Sequence, residues 1–358
     1  MQSRALRAGG ALLLIALVAC PATMADAATR THRTTKHRSS TKARGRAAAA
    51  VPSRAATGSG ATPPARSGKT PSVRAKQPAR SKGKTAARRG TSRRHRRLAP
   101  PRGGVYARNA IVLDPATDRV LFEKQSEQTV PIASLTKLMS VQVFLEQKPD
   151  LRRVAEVTRE EIRGGGHTQL RNRERVALYD LLHMSLMNSD NVATRVLARE
   201  SGLSSGAFVA RMNDRARDLG LANTRFAEPT GLDERNVATA ADVARLLRAS
   251  ADHYLIREIT TTPTYEFATE YPGRRRTVTR RHQIVNTNRL LRSNRYEFSC
   301  SKTGFIGASG YCVATWLREG GRDLIAVVLG APTNATRFAD IVRLVQRTET
   351  LSVEPAQP

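Results

Sequence analysis

The stretch Pro131-Ile132-Ala133-Ser134-Leu135-Thr136-Lys137-Leu138-Met139 leads into a run, Leu135 to Leu145, that is apolar almost all round. Such a run reads as a buried helix. Ser134 and Lys137 stand three residues apart, so the first helical turn puts both on one face, with Cβ atoms about 5–6 Å apart. A serine at a helix N-terminus sits where the dipole favours negative charge. A lysine in an otherwise apolar helix is desolvated, which lowers its pKa towards that of a usable base. These are the requirements of an activated serine nucleophile. The same spacing also suits an N-capping serine followed by a snorkelling lysine. Ser-x-x-Lys recurs at Ser39–Lys42, Ser81–Lys84 and Ser299–Lys302, so alone it decides little.

Two further motifs give it weight. Ser189-Asp190-Asn191 falls between two helical patterns, where a hydroxyl and a carboxamide two residues apart can face one cleft. The hydroxyl can relay a proton and the amide can hold a substrate backbone, although an interhelix turn with a Ser or Asx cap has the same composition. Lys302-Thr303-Gly304 lies in an expected strand. Its glycine lets another backbone approach closely. Its lysine and threonine offer a cation and a hydroxyl to an anion such as a terminal carboxylate, whereas a routine edge strand would also carry a lysine.

Outward from these motifs, Asn109 to Leu113 and Arg119 to Glu123 read as a strand hairpin. Helical spacing marks Tyr179 to Met187, Val192 to Arg199, Ala207 to Leu219 and Ala240 to Leu247. Glu297 to Phe305 and Tyr311 to Leu317 read as strands around a turn, Gly307 to Gly310; Leu324 to Leu329 reads as a short buried strand and Phe338 to Gln346 as a final helix. Strands at both ends with helices between predict an α+β domain whose sheet joins N- and C-terminal pieces. Cys300 and Cys312 flank the last hairpin symmetrically about Ile306, so a disulfide and a pair of buried thiols are both compatible with the spacing. His167, His183, His253 and His282 lack metal-ligand spacing and read as surface or packing residues. Gly164-Gly165-Gly166-His167 reads as a plain flexible turn, with a place bordering the cleft as the alternative.

The three motifs in this order, each on the expected element, resemble the penicillin-recognising serine enzymes. Within them, the Pro131–Met139 stretch, Phe226-Ala227-Glu228-Pro229-Thr230-Gly231-Leu232 and Thr239-Ala240-Ala241-Asp242 look like the D-alanyl-D-alanine carboxypeptidase family of low-molecular-mass penicillin-binding proteins. Asn286-Thr287-Asn288-Arg289-Leu290, Lys302-Thr303-Gly304-Phe305 and Ala308-Ser309-Gly310-Tyr311-Cys312 look most like its penicillin-binding protein 7 branch, the D-alanyl-D-alanine endopeptidases. The resemblance implies a β-lactamase/transpeptidase-like fold over residues 104–350: an antiparallel sheet flanked by helices, with a helical subdomain. It implies hydrolysis of D,D-amide bonds of peptidoglycan peptides through an acyl-serine, endopeptidase favoured over carboxypeptidase, with β-lactams as covalent inhibitors. Ser134 would be the nucleophile, Lys137 the general base and Ser189 the proton relay. Asn191 would hold the substrate amide, Lys302, Thr303 and Gly304 would bind beside the scissile bond, and the Ser134 and Phe305 N–H groups would form the oxyanion hole. No metal or cofactor is expected. A class A β-lactamase would need Glu-x-x-Leu-Asn, which Glu228-Pro229-Thr230-Gly231-Leu232 does not match. A wall-binding scaffold with a degenerate site remains an alternative, against which the intact motifs count.

The net charge of +30 on 358 residues is concentrated outside this region. Residues 28–103 hold 22 Lys/Arg and no acid, and no Ile, Met, Phe, Trp or Tyr. They cannot bury enough apolar surface to fold and read as a disordered tail. Residues 1–27 read as a secretory signal peptide, with Arg4 and Arg7 before the apolar run Ala11 to Ala19. Ala25-Asp26-Ala27 is an A-x-A cleavage site; Leu17-Val18-Ala19-Cys20 has lipobox form, though Pro21 counts against acylation of Cys20. The expectation is an exported enzyme of the bacterial periplasm or envelope. Its tail is expected to engage anionic envelope polymers or a lipid surface, with a solvated spacer as the alternative. No nucleic acid partner is expected, since the tail lacks aromatics for base stacking. Residues 351–358 read as a short C-terminal tail.

Overall fold

The computed structural model describes residues 104–293 and 295–351. The signal segment with Cys20, the basic tail and residues 352–358 lie outside the described residues. In chain order the strands are β1 (Asn109–Leu113), β2 (Val120–Lys124), β3 (Val130–Pro131), β4 (Val154–Glu156), β5 (Arg175–Ala177), β6 (Val237–Ala238), β7 (Thr264–Pro272), β8 (Thr277–Val285), β9 (Glu297–Ile306), β10 (Gly310–Glu319) and β11 (Arg322–Ala331). The helices are α1 (Thr136–Glu146), α2 (Arg159–Ile162), α3 (Leu178–Leu186), α4 (Asn191–Glu200), α5 (Ser205–Asp218), α6 (Ala240–Ala251), α7 (Tyr254–Thr261) and α8 (Asn334–Leu351).

The main sheet is antiparallel, in the order β2-β1-β11-β10-β9. Its first strand pairs with its last, Ile111 opposite Val327, so the sheet joins the two ends of the domain as the sequence predicts. Side chains alternate between its faces. Ala110, Val112, Val313, Leu317, Ala326 and Val328 pack with Phe338, Ile341, Leu344 and Val345 of α8. Ile111, Ala314, Ile325, Val327 and Leu329 join the larger core built by α1, α3, α4 and α6. Burial on both faces explains the unbroken apolar run of β11. Within the larger core α1 is buried from Thr136 to Phe144. Among the described residues, no helix is long and apolar enough to cross a membrane.

Three sequence expectations change. Cys300 and Cys312 do not face each other: Ile306 pairs with Gly310, so Cys312 lies opposite Gly304 and Cys300 opposite Trp316. The turn falls between Ile306 and Gly310, where the sequence places it, and both thiols are free and buried. Helix α1 begins at Thr136, one residue later than expected, after a 3₁₀ turn over Ala133–Leu135 that contains Ser134. The four-stranded sheet β4-β5-β7-β8 is new. His183 and His282 pack as expected, their rings stacked 3.7 Å from Tyr265 and 4.9 Å from Phe267.

Candidate active site

Ser134 is held by close backbone approaches from two directions. A Cβ on Gly304 would come within 3.0 Å of the Ile132 carbonyl oxygen and of the Ser134 nitrogen. A Cβ on Gly231, which has φ +84°, would collide with the Ala133 carbonyl. Between them Ala133 adopts φ +49°, a left-handed conformation that costs a non-glycine residue on the order of 1 kcal/mol. The K-T-G strand and the loop after Pro229 thus clamp the turn that carries the serine.

Lys137, the second residue of α1, donates to Ser134 Oγ (3.0 Å), Asn191 Oδ1 (2.6 Å) and the Thr230 carbonyl (2.5 Å). Burial lowers its pKa from 10.5 to about 7, against the opposing effects of Glu228 and Asp190. The acceptor set has a consequence. A neutral amine has two N–H groups and one lone pair. The Thr230 carbonyl can only accept, and so can Asn191 Oδ1, because Asn191 Nδ2 donates to the Gly165 carbonyl at 3.0 Å. The lone pair is therefore left to Ser134, whose hydroxyl is the only partner able to donate into it.

Gly165 lies in the segment expected to be a plain turn. That expectation is corrected: the segment fixes the Asn191 amide, and Thr168 donates to Asp190 Oδ2 at 2.7 Å. Asp190 in turn caps α4 through Ala193 N at 3.0 Å. The segment's far end is tied to β8, where Glu174 meets Arg280 and His282 at 2.9 and 2.7 Å.

The opposite wall is β9. Lys302 is buried and donates to Ser189 Oγ (2.9 Å) and to the Thr303 carbonyl (3.0 Å). Burial pushes its pKa well below 10.5, and the nearby cations Lys137 and Arg337 add to the fall. Ser189 has φ +64°, a left-handed conformation between α3 and α4, and its hydroxyl accepts from Lys302. Thr303 Oγ1 lies 2.6 Å from Thr287 Oγ1, which reaches the Met187 carbonyl at 3.1 Å. Phe305 follows at the cleft rim, 51% exposed and stacked 4.2 Å from Tyr311. All three motifs thus come together, with Ser134, Ser189 and Asn191 partly accessible to solvent.

Sequence reasoning gave no role to four contributors. The Glu228 carboxylate accepts from the backbone N–H groups of Thr230, Gly231 and Leu232 and from Asn236 Nδ2, which shapes the loop that meets Lys137. Thr230 contributes its carbonyl, and Thr287 bridges the S-D-N and K-T-G motifs. Arg337 of α8 donates to the Gly304 and Cys312 carbonyls at 3.1 Å each, and burial lowers its pKa to about 10. Glu228, Thr230 and Thr287 carried a signal, since they stand in the stretches Phe226–Leu232 and Asn286–Leu290 that bear the resemblance; Arg337 carried none.

A buried amine poised on a serine, with a second buried lysine across the cleft, defines an active-site-serine hydrolase of the penicillin-recognising fold. The chain belongs to the D-alanyl-D-alanine carboxypeptidase family, whose profile matches residues 95–333, and it is a serine D-alanyl-D-alanine peptidase. It is 35% identical over 259 residues to the D-alanyl-D-alanine endopeptidase of Pseudomonas aeruginosa, covering 70% of this chain and 82% of that protein. It is 32% identical over 258 residues to the Escherichia coli D-alanyl-D-alanine endopeptidase, covering 69% and 78%. The fold matches the Streptomyces K15 DD-transpeptidase with a TM-score of 0.64 at 22% identity, over 71% of this chain and 100% of that one. It also matches cefotaxime-bound penicillin-binding protein D2 from Listeria monocytogenes, with a TM-score of 0.56 at 27% identity, over 68% and 98%.

Proposed function

We propose that the protein is a D,D-endopeptidase that cleaves peptidoglycan cross-links through an acyl-enzyme on Ser134. The observation that carries this reading is the acceptor set of Lys137, which leaves its lone pair to the Ser134 hydroxyl. Ser134 Oγ attacks the carbonyl carbon of the D-Ala residue as its proton passes to Lys137 Nζ. The N–H groups of Ser134 and Phe305 stabilise the oxyanion. Collapse expels the amine, which receives the proton from Lys137 by way of Ser189. Asn191 holds the substrate amide, and Lys302, Thr303 and Gly304 hold the carboxylate beside the scissile bond. Water then hydrolyses the ester. The endopeptidase assignment is supported by the two relatives of that name. β-Lactams, whose carboxylate lies similarly, acylate the same serine.

We further propose that residues 1–27 direct export to the periplasm or envelope and that the tail, residues 28–103, tethers the enzyme to anionic envelope material. Fluorescent penicillin is expected to label the wild type covalently and to leave Ser134→Ala unlabelled. Digestion of purified muropeptides should then consume cross-linked dimers. Shortening of pentapeptides with dimers untouched would make the enzyme a carboxypeptidase, and no labelling of the folded wild type would leave a scaffold.

A further inference from the structure

We propose that the tip of the β7–β8 hairpin is a docking element for an anionic phospholipid bilayer. The two strands pair from Thr264–Val285 to Pro272–Thr277. Gly273 closes the turn, its N–H donating to the Arg276 carbonyl at 3.0 Å. This puts Arg274, Arg275 and Arg276 consecutively at the tip, all exposed. Two other arginines of the same sheet are paired, Arg175 with Glu270 and Arg280 with Glu174, both at 2.9 Å. Among the described residues, no carboxylate lies within ion-pair distance of the three tip arginines. Arg173, also exposed, is two residues from the Arg175–Glu270 pairing, towards the tip end of β7. Adjacent like charges repel one another, so the partner that this cluster fits is an external anion.

The shape and the neighbouring residue select the kind of anion. A hairpin tip is convex and spreads its guanidinium groups over a front, which suits a flat array of phosphates better than one small ion. Val278, just beyond the arginines, is 46% exposed. An exposed apolar side chain beside a basic front gains nothing from a hydrated polymer, whereas at a bilayer it can enter the headgroup boundary. The hairpin can transmit orientation as well as affinity, since its β8 strand is locked to the segment that holds Asn191 through Glu174, Arg280 and His282.

The test uses the full chain carrying Cys20→Ser, so that the tail is present throughout and the label cannot attach at Cys20. Val278→Cys is labelled with an environment-sensitive nitrobenzoxadiazole; Cys300 and Cys312 are buried and stay unlabelled in the folded protein. Vesicles containing phosphatidylglycerol should give a blue-shifted, brightened signal that added salt removes, and phosphatidylcholine vesicles should give none. Each arginine near a charged surface is worth about fivefold in the docked fraction. Arg274→Ser, Arg275→Ser and Arg276→Ser combined should therefore lower the docked fraction on the order of a hundredfold. Penicillin acylation of that variant should be unchanged, which establishes that it is folded and keeps this test separate from the enzymatic reading. An unshifted label on phosphatidylglycerol vesicles, an unchanged signal in the triple variant, or a signal raised by isolated sacculi and not by lipid would overturn the proposal.

Discussion

The two walls of the cleft each bury a lysine, and they differ in what surrounds it. On the helix wall, Lys137 has three acceptors, and the carboxylates of Glu228 and Asp190 partly offset the burial that brings its pKa to about 7. On the strand wall, Lys302 has two acceptors, and the charges acting on it are the cations Lys137 and Arg337. The helix wall is electrostatically complete without substrate. Among the described residues no carboxylate acts on Lys302, and on the proposed mechanism a substrate or β-lactam carboxylate would supply that charge. On the proposed mechanism, proton transfer falls to one wall and ground-state recognition to the other.

The largest effects should separate along that line. Lys137→Met is expected to lower the limiting rate of penicillin acylation by about 10³-fold, within the range of general-base catalysis. Its effect on affinity should be small. Lys302→Met should act first on affinity, weakening it by roughly ten- to a hundredfold, the value of a charge-assisted hydrogen bond. Stopped-flow acylation over a range of penicillin concentrations resolves the two. The comparison breaks if both variants lose rate and affinity in the same proportion.

A pH profile sharpens it. The base works in its neutral form, whose fraction rises with pH through the folded pKa, so the acylation rate should climb through about pH 7 and then level. Glu228 holds that pKa up, because its negative charge favours the ammonium form. Glu228→Gln should therefore move the rising limb to lower pH. An alkaline shift would mean that the carboxylate acts through the shape of its loop and not through its charge.

The glycines of the two walls give a smaller and more local contrast. Gly231→Ala meets both a left-handed φ and the Ala133 carbonyl, and should cost about 3 kcal/mol of stability or more. Gly304→Ala meets atoms at 3.0–3.1 Å in an extended strand. It should cost only about 1 kcal/mol, yet lower acylation roughly tenfold by displacing the serine turn. Urea unfolding beside acylation kinetics would show whether the order reverses between the two readouts.

What could be read in advance follows the reach of the forces involved. The pairing of Ser134, in the turn before α1, with Lys137 of α1 was legible, as was the K-T-G strand, because helical spacing and strand alternation are local. The α+β order was legible because β10 and β11 carry apolar residues on both faces. The β7–β8 hairpin was missed because one face is solvated and arginine-rich, which reads as a loop. Thr230, Thr287 and Arg337 were missed because each acts on a residue far away in the chain: Thr230 lies 93 residues from the lysine it meets. The left-handed φ values of Ala133 and Ser189 are imposed by packing neighbours and leave no mark in composition.

The smallest expected effect concerns the cysteines, and it tests the strand wall without touching catalysis. Cys300 stands two residues before Lys302, and Cys312 lies opposite Gly304. Desolvation favours the neutral form of any group, so the burial that lowers the pKa of Lys302 must raise that of a thiol on the same strand. It does: burial pushes Cys300 up to about 12 and raises Cys312 as well. Thiolates are the reactive form, so both cysteines should resist alkylation at pH 8 in the folded protein. Denatured, unreduced protein should yield both as free thiols, and reductant should leave the Tm unchanged. Fast alkylation of Cys300 in the folded state would mean that water reaches this strand. Lys302 would then be an ordinary solvated ammonium, and the two walls would differ in far less than their charge.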